Sequence, residues 1–171
     1  MTNRTQQERL KKTLLDWKMR LNKAQIGHYI STERYGRFHY ILGVPLVGTS
    51  AFVSASLFLD HNQISQLLRN IVIFLSIATT IIASLQTFLR FGEKSELHRA
   101  KASKYGTLKR NVERFLAINH TDEEIKIFLE KIDTEWSHIT ADAPVTARSI
   151  RKEVTDILSK EREERKKLNT Q

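Results

Sequence analysis

YILGVPLVGTSAFVSASLFL, residues 40–59, and IVIFLSIATTIIASLQTFL, residues 71–89, contain no charged side chain. Wound as α-helices at about 1.5 Å per residue, each is long enough to cross a hydrocarbon layer of about 30 Å. A helix buried in a water-soluble bundle keeps a polar stripe with charges on it, whereas here every charge is pushed to the ends of the runs. The mean hydropathy of the chain, -0.38, is that of an ordinary soluble protein, so the apolar residues are segregated and not merely abundant. The first run begins behind a long charged segment, with no small-residue cleavage site after a short apolar core. It is therefore expected to remain in the mature chain and not to act as a signal peptide.

The flanks give the runs a direction. Arg20, Lys23, Arg34 and Arg37 precede the first, and Arg90, Lys94, Arg99, Lys101, Lys104 and Lys109 follow the second. Between them stands only Arg69. Positive residues are retained on the cytoplasmic side, which predicts a hairpin with both termini inside and the Asp60–Asn70 link outside. Tyr35, Phe38, Tyr40, Phe88 and Phe91 lie where interfacial aromatics are expected. The bases Arg34, Arg37, Arg90, Lys94, Arg99, Lys101 and Lys104 are candidate contacts for lipid headgroups, each contributing about 1 kcal/mol near an anionic leaflet.

Composition sets the class around this hairpin. The 171 residues include only 6 Gly and 2 Pro, and 28 Lys and Arg against 19 Asp and Glu leave a net charge of +9. Such a chain favours helix over strand and turn, and its charge favours an anionic partner. The absence of cysteine excludes disulfides, thiolate metal sites and thiol nucleophiles. The predicted fold is all-α: a two-span transmembrane helical hairpin with a long N-terminal helix and C-terminal cytosolic helices forming a bundle, in one domain over 1–171. Its elements are a heptad helix over 5–39, spans over 40–59 and 71–89, and cytosolic helices over 92–118, 122–140 and 146–165.

Leu10, Leu14, Trp17, Leu21 and His28 fall on a seam of alternating four- and three-residue spacing. That pattern makes them candidates for an oligomer interface. Gly36 is a candidate bend where this helix meets the headgroups. Thr121 followed by Glu124 is a capping-box pattern that opens a new helix, and Pro144 requires that helix to stop before it.

Within the spans, Ser76, Thr80, Ser84 and Thr87 share one helical face, and Gly43, Ser50 and Ser54 share another. Small and hydroxyl residues permit close helix approach in lipid, so the two stripes are expected to face each other. Alternatively the second stripe, with Gln86 nearby, lines a water path in an oligomer, because two spans from one chain cannot enclose a pore.

Chemistry beyond this is sparse. No two of the 6 histidines stand four residues apart beside an acid, as a helical zinc site needs. No phosphate-cradling glycine loop or nucleophile elbow is present. The expectation is a protein without catalytic residues, metal or cofactor, and no recognised nucleic-acid-binding signature accompanies the basic face.

The segments LQTFLRFGEKSELHRAKASKYGTLKRNVE (85–113) and WKMRLNKAQIGHY (17–29), with Ala143-Pro144 before a basic helix, resemble the SLATT family, the two-transmembrane effectors of bacterial conflict systems. The likeness runs from about Leu10 to Val154. It implies a pore-forming or membrane-perturbing effector of the inner membrane that acts as a homo-oligomer. A nucleotide synthetase or sensor acting in trans would trigger it, ending in growth arrest or cell death. It implies no catalytic residues. A membrane-anchored adaptor that recruits or regulates a cytosolic partner is the alternative from the same spans, and a soluble helical bundle that binds nucleic acid the third.

Overall fold

The structure, a computed structural model, describes residues 2–56, 58 and 65–168, with side chains from residue 6 onward. Leu57 and Leu59 of the first run and residues 60–64 of the expected external link lie outside the described residues. Among those described there are five helices and no strand: α1 Thr2–Ser56, α2 Gln66–Leu89, α3 Phe91–Leu116, α4 Asp122–Ala141 and α5 Arg148–Leu168.

The expected 5–39 helix and the 40–59 span belong to one helix, since α1 runs through both without interruption. Gly36 does not interrupt it. A Cβ there would come within 3.3 Å of the Ser95 hydroxyl, so the residue is small because α3 begins against it. Pro45 also lies inside the helix. Its missing N–H removes one hydrogen bond from the ladder, a loss that a helix tolerates when nearby hydroxyls re-satisfy the backbone. The acceptor that lost its donor is the Ile41 carbonyl; one turn further on, the Thr49 hydroxyl donates to the Pro45 carbonyl at 2.9 Å.

The break between α2 and α3 falls at Arg90, in the gap left between the predicted elements. This residue adopts the left-handed conformation, φ 49° and ψ 45°, and its N–H closes α2 on the Gln86 carbonyl at 3.1 Å. A non-glycine residue there costs about 1–2 kcal/mol, which the cap bond partly offsets. The capping box of α4 forms as its sequence requires. Glu124 N–H donates to the Thr121 hydroxyl at 3.3 Å, and Thr121 N–H donates to the Glu124 carboxylate at 2.8 Å. These bonds hold the Glu124 carboxyl below its ordinary range.

The chain divides into two compact units. One, the bundle, takes α1 up to Thr32 and the chain from Glu96 onward. Leu14 and Leu21 from α1, Tyr105, Leu108 and Val112 from α3, and Ile125 and Ile132 from α4 form its core, with Leu10 and Trp17 packed against it. Trp17 meets Trp136 edge to face at 5.8 Å, and Ile150 and Val154 of α5 are buried as well. The seam expected to join copies of the chain is thus covered by the chain's own helices. Heptad spacing specifies that an apolar helix face will be buried, and α3 and α4 supply the cover.

The other unit, the hairpin, spans Glu33–Ser95. Its two long helices, α1 beyond Glu33 and α2, run antiparallel, with Thr49 opposite Thr79 and Gly43 opposite Gln86.

Candidate functional site

The hairpin's seam is built on a seven-residue rhythm. Leu42, Leu46, Thr49 and Val53 from α1, and Val72, Leu75, Thr79, Ile82 and Gln86 from α2, are half-buried, and their outward neighbours are exposed. Thr79 donates its hydroxyl proton to the Thr49 hydroxyl at 3.0 Å, and Thr49 passes its own to the Pro45 carbonyl. The bond thus ends on a carbonyl acceptor, with no proton left over. These two threonines were not singled out by polarity, but the register of Leu42, Leu46 and Val53 marks them. Gly43 belongs to the seam too, since a Cβ there would come within 3.1 Å of Gln86 Nε2. Gln86 approaches His39 Nδ1 at 3.5 Å, while its Oε1 is buried without a partner among the described residues.

The stripe expected to face the first span does not. Ser76, Thr80, Ser84 and Thr87 are all exposed, as are Ser50 and Ser54 on α1. Three of the stripe's hydroxyls donate to their own helix: Thr80 to Ser76 O at 2.9 Å, Ser84 to Thr80 O at 2.8 Å and Thr87 to Ala83 O at 2.9 Å. Interdigitating Leu, Val and Ile hold the two spans together, and the hydroxyls point elsewhere.

Along the two spans the rest of the hairpin surface is largely apolar. Tyr40, Ile41, Val44, Val47, Phe52, Leu67, Ile71, Ile73, Phe74, Ile77, Ile81, Leu85 and Phe88 are exposed, Phe74 by 72% and Phe88 by 82%. Leaving these thirteen side chains in water forgoes on the order of 10–20 kcal/mol of transfer free energy. That is comparable to or larger than the whole stability of a typical domain. Both helices are long and apolar enough to cross a membrane.

At the charged end of the hairpin, Phe91 stacks on Phe38 at 5.5 Å and on Tyr35 at 6.3 Å. Arg34, Arg37, Arg90 and Lys94 are exposed in the same unit, with Arg90 paired to Glu93. Aromatic rings with bases beside them suit an interface, where one end of the ring is apolar and the other wet.

Two of the remaining basic candidates, Arg99 and Lys104, are exposed on α3, with Arg99 3.5 Å from Glu96. Lys101 is not a headgroup contact. It is 2% exposed, and its ammonium pairs with the Asp142 carboxylate at the end of α4. A buried ammonium requires such a partner, and Lys101 in turn holds the Asp142 carboxyl below its usual range. Beside it lie His28 and His98, whose Nδ1 atoms are 2.9 Å apart. Burial, then the neighbouring His98 and Lys101, lower His28 to about 4, and burial lowers His98. Tyr105 stacks on His28 at 5.3 Å. Nothing in the sequence joins these groups, because 70 residues separate the two histidines. Among the described residues no group of three acids or histidines is arranged to hold a metal ion.

No family model, curated protein or solved structure matches this chain.

Proposed function

We propose that the chain is a two-span protein of the bacterial inner membrane, with both termini cytoplasmic, that assembles with other copies of itself and permeabilises the membrane. In this reading it is the effector of a defence system, released by a nucleotide-signalling partner to arrest or kill the cell, as the SLATT-like pattern implies. The observation that carries it is the hairpin's outer surface. It is uncharged along both spans and apolar over most of its area, yet it carries one hydroxyl stripe that the first span does not cover. Polar groups at membrane depth generally face protein or water, so a further copy or a water path is the natural neighbour of that stripe. Positive charge on both outer flanks, with only Arg69 between the runs, supports the orientation.

A specific observation favours a second reading, in which the spans only anchor an adaptor. Thr80, Ser84 and Thr87 spend their hydroxyl protons on their own helix, which lowers the cost of facing lipid. The test is the joint replacement of Ser76, Thr80, Ser84 and Thr87 by Ala, with membrane potential followed by a voltage-sensitive dye after induction beside the native partner system. The effector reading expects wild type to depolarise the cells and the variant, inserted to the same level, to lose that effect. Depolarisation unchanged by the four substitutions sinks the water path, and wild-type cells that keep their potential and growth sink the effector.

A further inference from the structure

Among α1, α3, α4 and α5 the bundle leaves a cavity of about 570 Å³, the size of a small-molecule site. Its charge is one-sided. Lys23 from α1 and Arg151 from α5 line it, both exposed, and no carboxylate does. Its walls are otherwise largely apolar, with Ala24, Pro144 and Val154 among them. A mainly apolar pocket with a few convergent polar groups is the usual form of a site for an organic ligand.

His28 supplies the second observation. The ring lines this cavity and is only 4% exposed. Its Nδ1 lies 2.9 Å from His98 Nδ1, which leaves Nε2 as the ring nitrogen free to meet a ligand. When His98 Nδ1–H donates to His28 Nδ1, the neutral His28 ring carries its proton on Nε2 and becomes a donor on the cavity side. Two cations with no acid opposing them select an anion, and an anion in turn favours that tautomer of His28.

We propose that this cavity binds a phosphate ester with a compact apolar group, the phosphate held by Lys23, Arg151 and His28 Nε2–H and the apolar group lying against Pro144 and Val154. Two sources share that chemistry, a soluble phosphomonoester and an anionic phospholipid. The site belongs to the bundle alone, and it stands or falls independently of whether the hairpin conducts.

The experiment uses the full chain in nanodiscs of zwitterionic lipid, with 1-naphthyl phosphate as the probe. Binding is measured by equilibrium dialysis, and the His28 ring tautomer by nitrogen NMR. Saturable one-to-one binding is expected, with His28 shifting toward the Nε2–H form. Lys23→Glu with Arg151→Glu, both at exposed positions, should weaken it about tenfold or more, the worth of a lost charge-assisted contact. Thr155→Trp, at an exposed position on the cavity wall, should fill the space and abolish binding. 1-Naphthol and inorganic phosphate, each lacking one half of the ligand, should bind at least about tenfold more weakly. Displacement by phosphatidylglycerol added to the nanodisc supports the lipid source, and resistance to it supports the soluble one. Absence of saturable binding, equal affinity in the charge-reversed variant, or naphthol binding as tightly as its phosphate overturns the proposal.

Discussion

Ile77→Arg separates lipid from water as the solvent of the hairpin. Ile77 lies in the middle of the second run and is 57% exposed. In a water-soluble bundle an exposed isoleucine exchanged for arginine changes stability by no more than about 0.5 kcal/mol. At the centre of a membrane helix the same exchange moves a residue worth roughly -0.6 kcal/mol to one worth roughly +2.5, a change of about 3 kcal/mol. That corresponds to a roughly 150-fold shift against the inserted form. Leu15→Arg, at a bundle position with 50% exposure, is the matched control and should change little. The assay is insertion of each variant into lipid vesicles, with the membrane-bound fraction read by flotation after an alkaline wash. Wild type and the Leu15 variant should float, and the Ile77 variant should be strongly depleted from the floating fraction. Equal flotation of all three would refute the reasoning, as would a wild-type protein that stays monodisperse in buffer without lipid or detergent.

The other expectations concern single contacts. Asp142→Asn leaves the buried Lys101 without its carboxylate, so it should lower the melting temperature of the bundle, whereas Lys101→Met should restore much of the loss in the double variant; calorimetry of the four proteins decides. For His28 the folded pKa of about 4 lies below the ordinary 6.5, so between these values the unfolded chain binds the extra proton and the folded one does not. Stability should therefore fall as pH drops from about 6.5 toward 4, by about 2 kcal/mol after allowance for screening, and His28→Gln should flatten that stretch of a pH-dependent denaturation series. Thr49→Val and Thr79→Val each remove half of the bond between the spans. A double-mutant cycle in mixed micelles should return a coupling near 0.6 kcal/mol, and a coupling of zero would remove the bond from the account.

How much was legible in advance follows the range of the forces involved. The uncharged runs, the capping box of Thr121 and Glu124 and the stop before Pro144 are set by neighbouring residues, and they recur in the structure at nearly the expected places. A long helix entering the first span was expected, but that it also runs on through Pro45 was not legible. Glycine and proline weaken a helix locally, while packing along its length decides whether it survives. The faces were the least legible feature. A stripe of Ser76, Thr80, Ser84 and Thr87 suits another helix, water or, with its protons spent internally, lipid, so polarity alone does not assign its neighbour.

By itself the sequence determined an all-helical chain, two stretches long and apolar enough to span a bilayer, and the asymmetry of positive charge around them, because helix propensity, transfer free energy and charge are properties that each residue carries with it. Only the tertiary structure decided that Leu10, Leu14, Trp17 and Leu21 are covered by the chain's own α3 and α4, that Thr49 and Thr79 join the spans, and that Lys101 is sealed against Asp142. It also brought His28 to His98 across 70 residues beside a cavity lined with cations and no acid. Those outcomes depend on which surfaces meet, and a periodic stripe states that a face will be buried without stating against what.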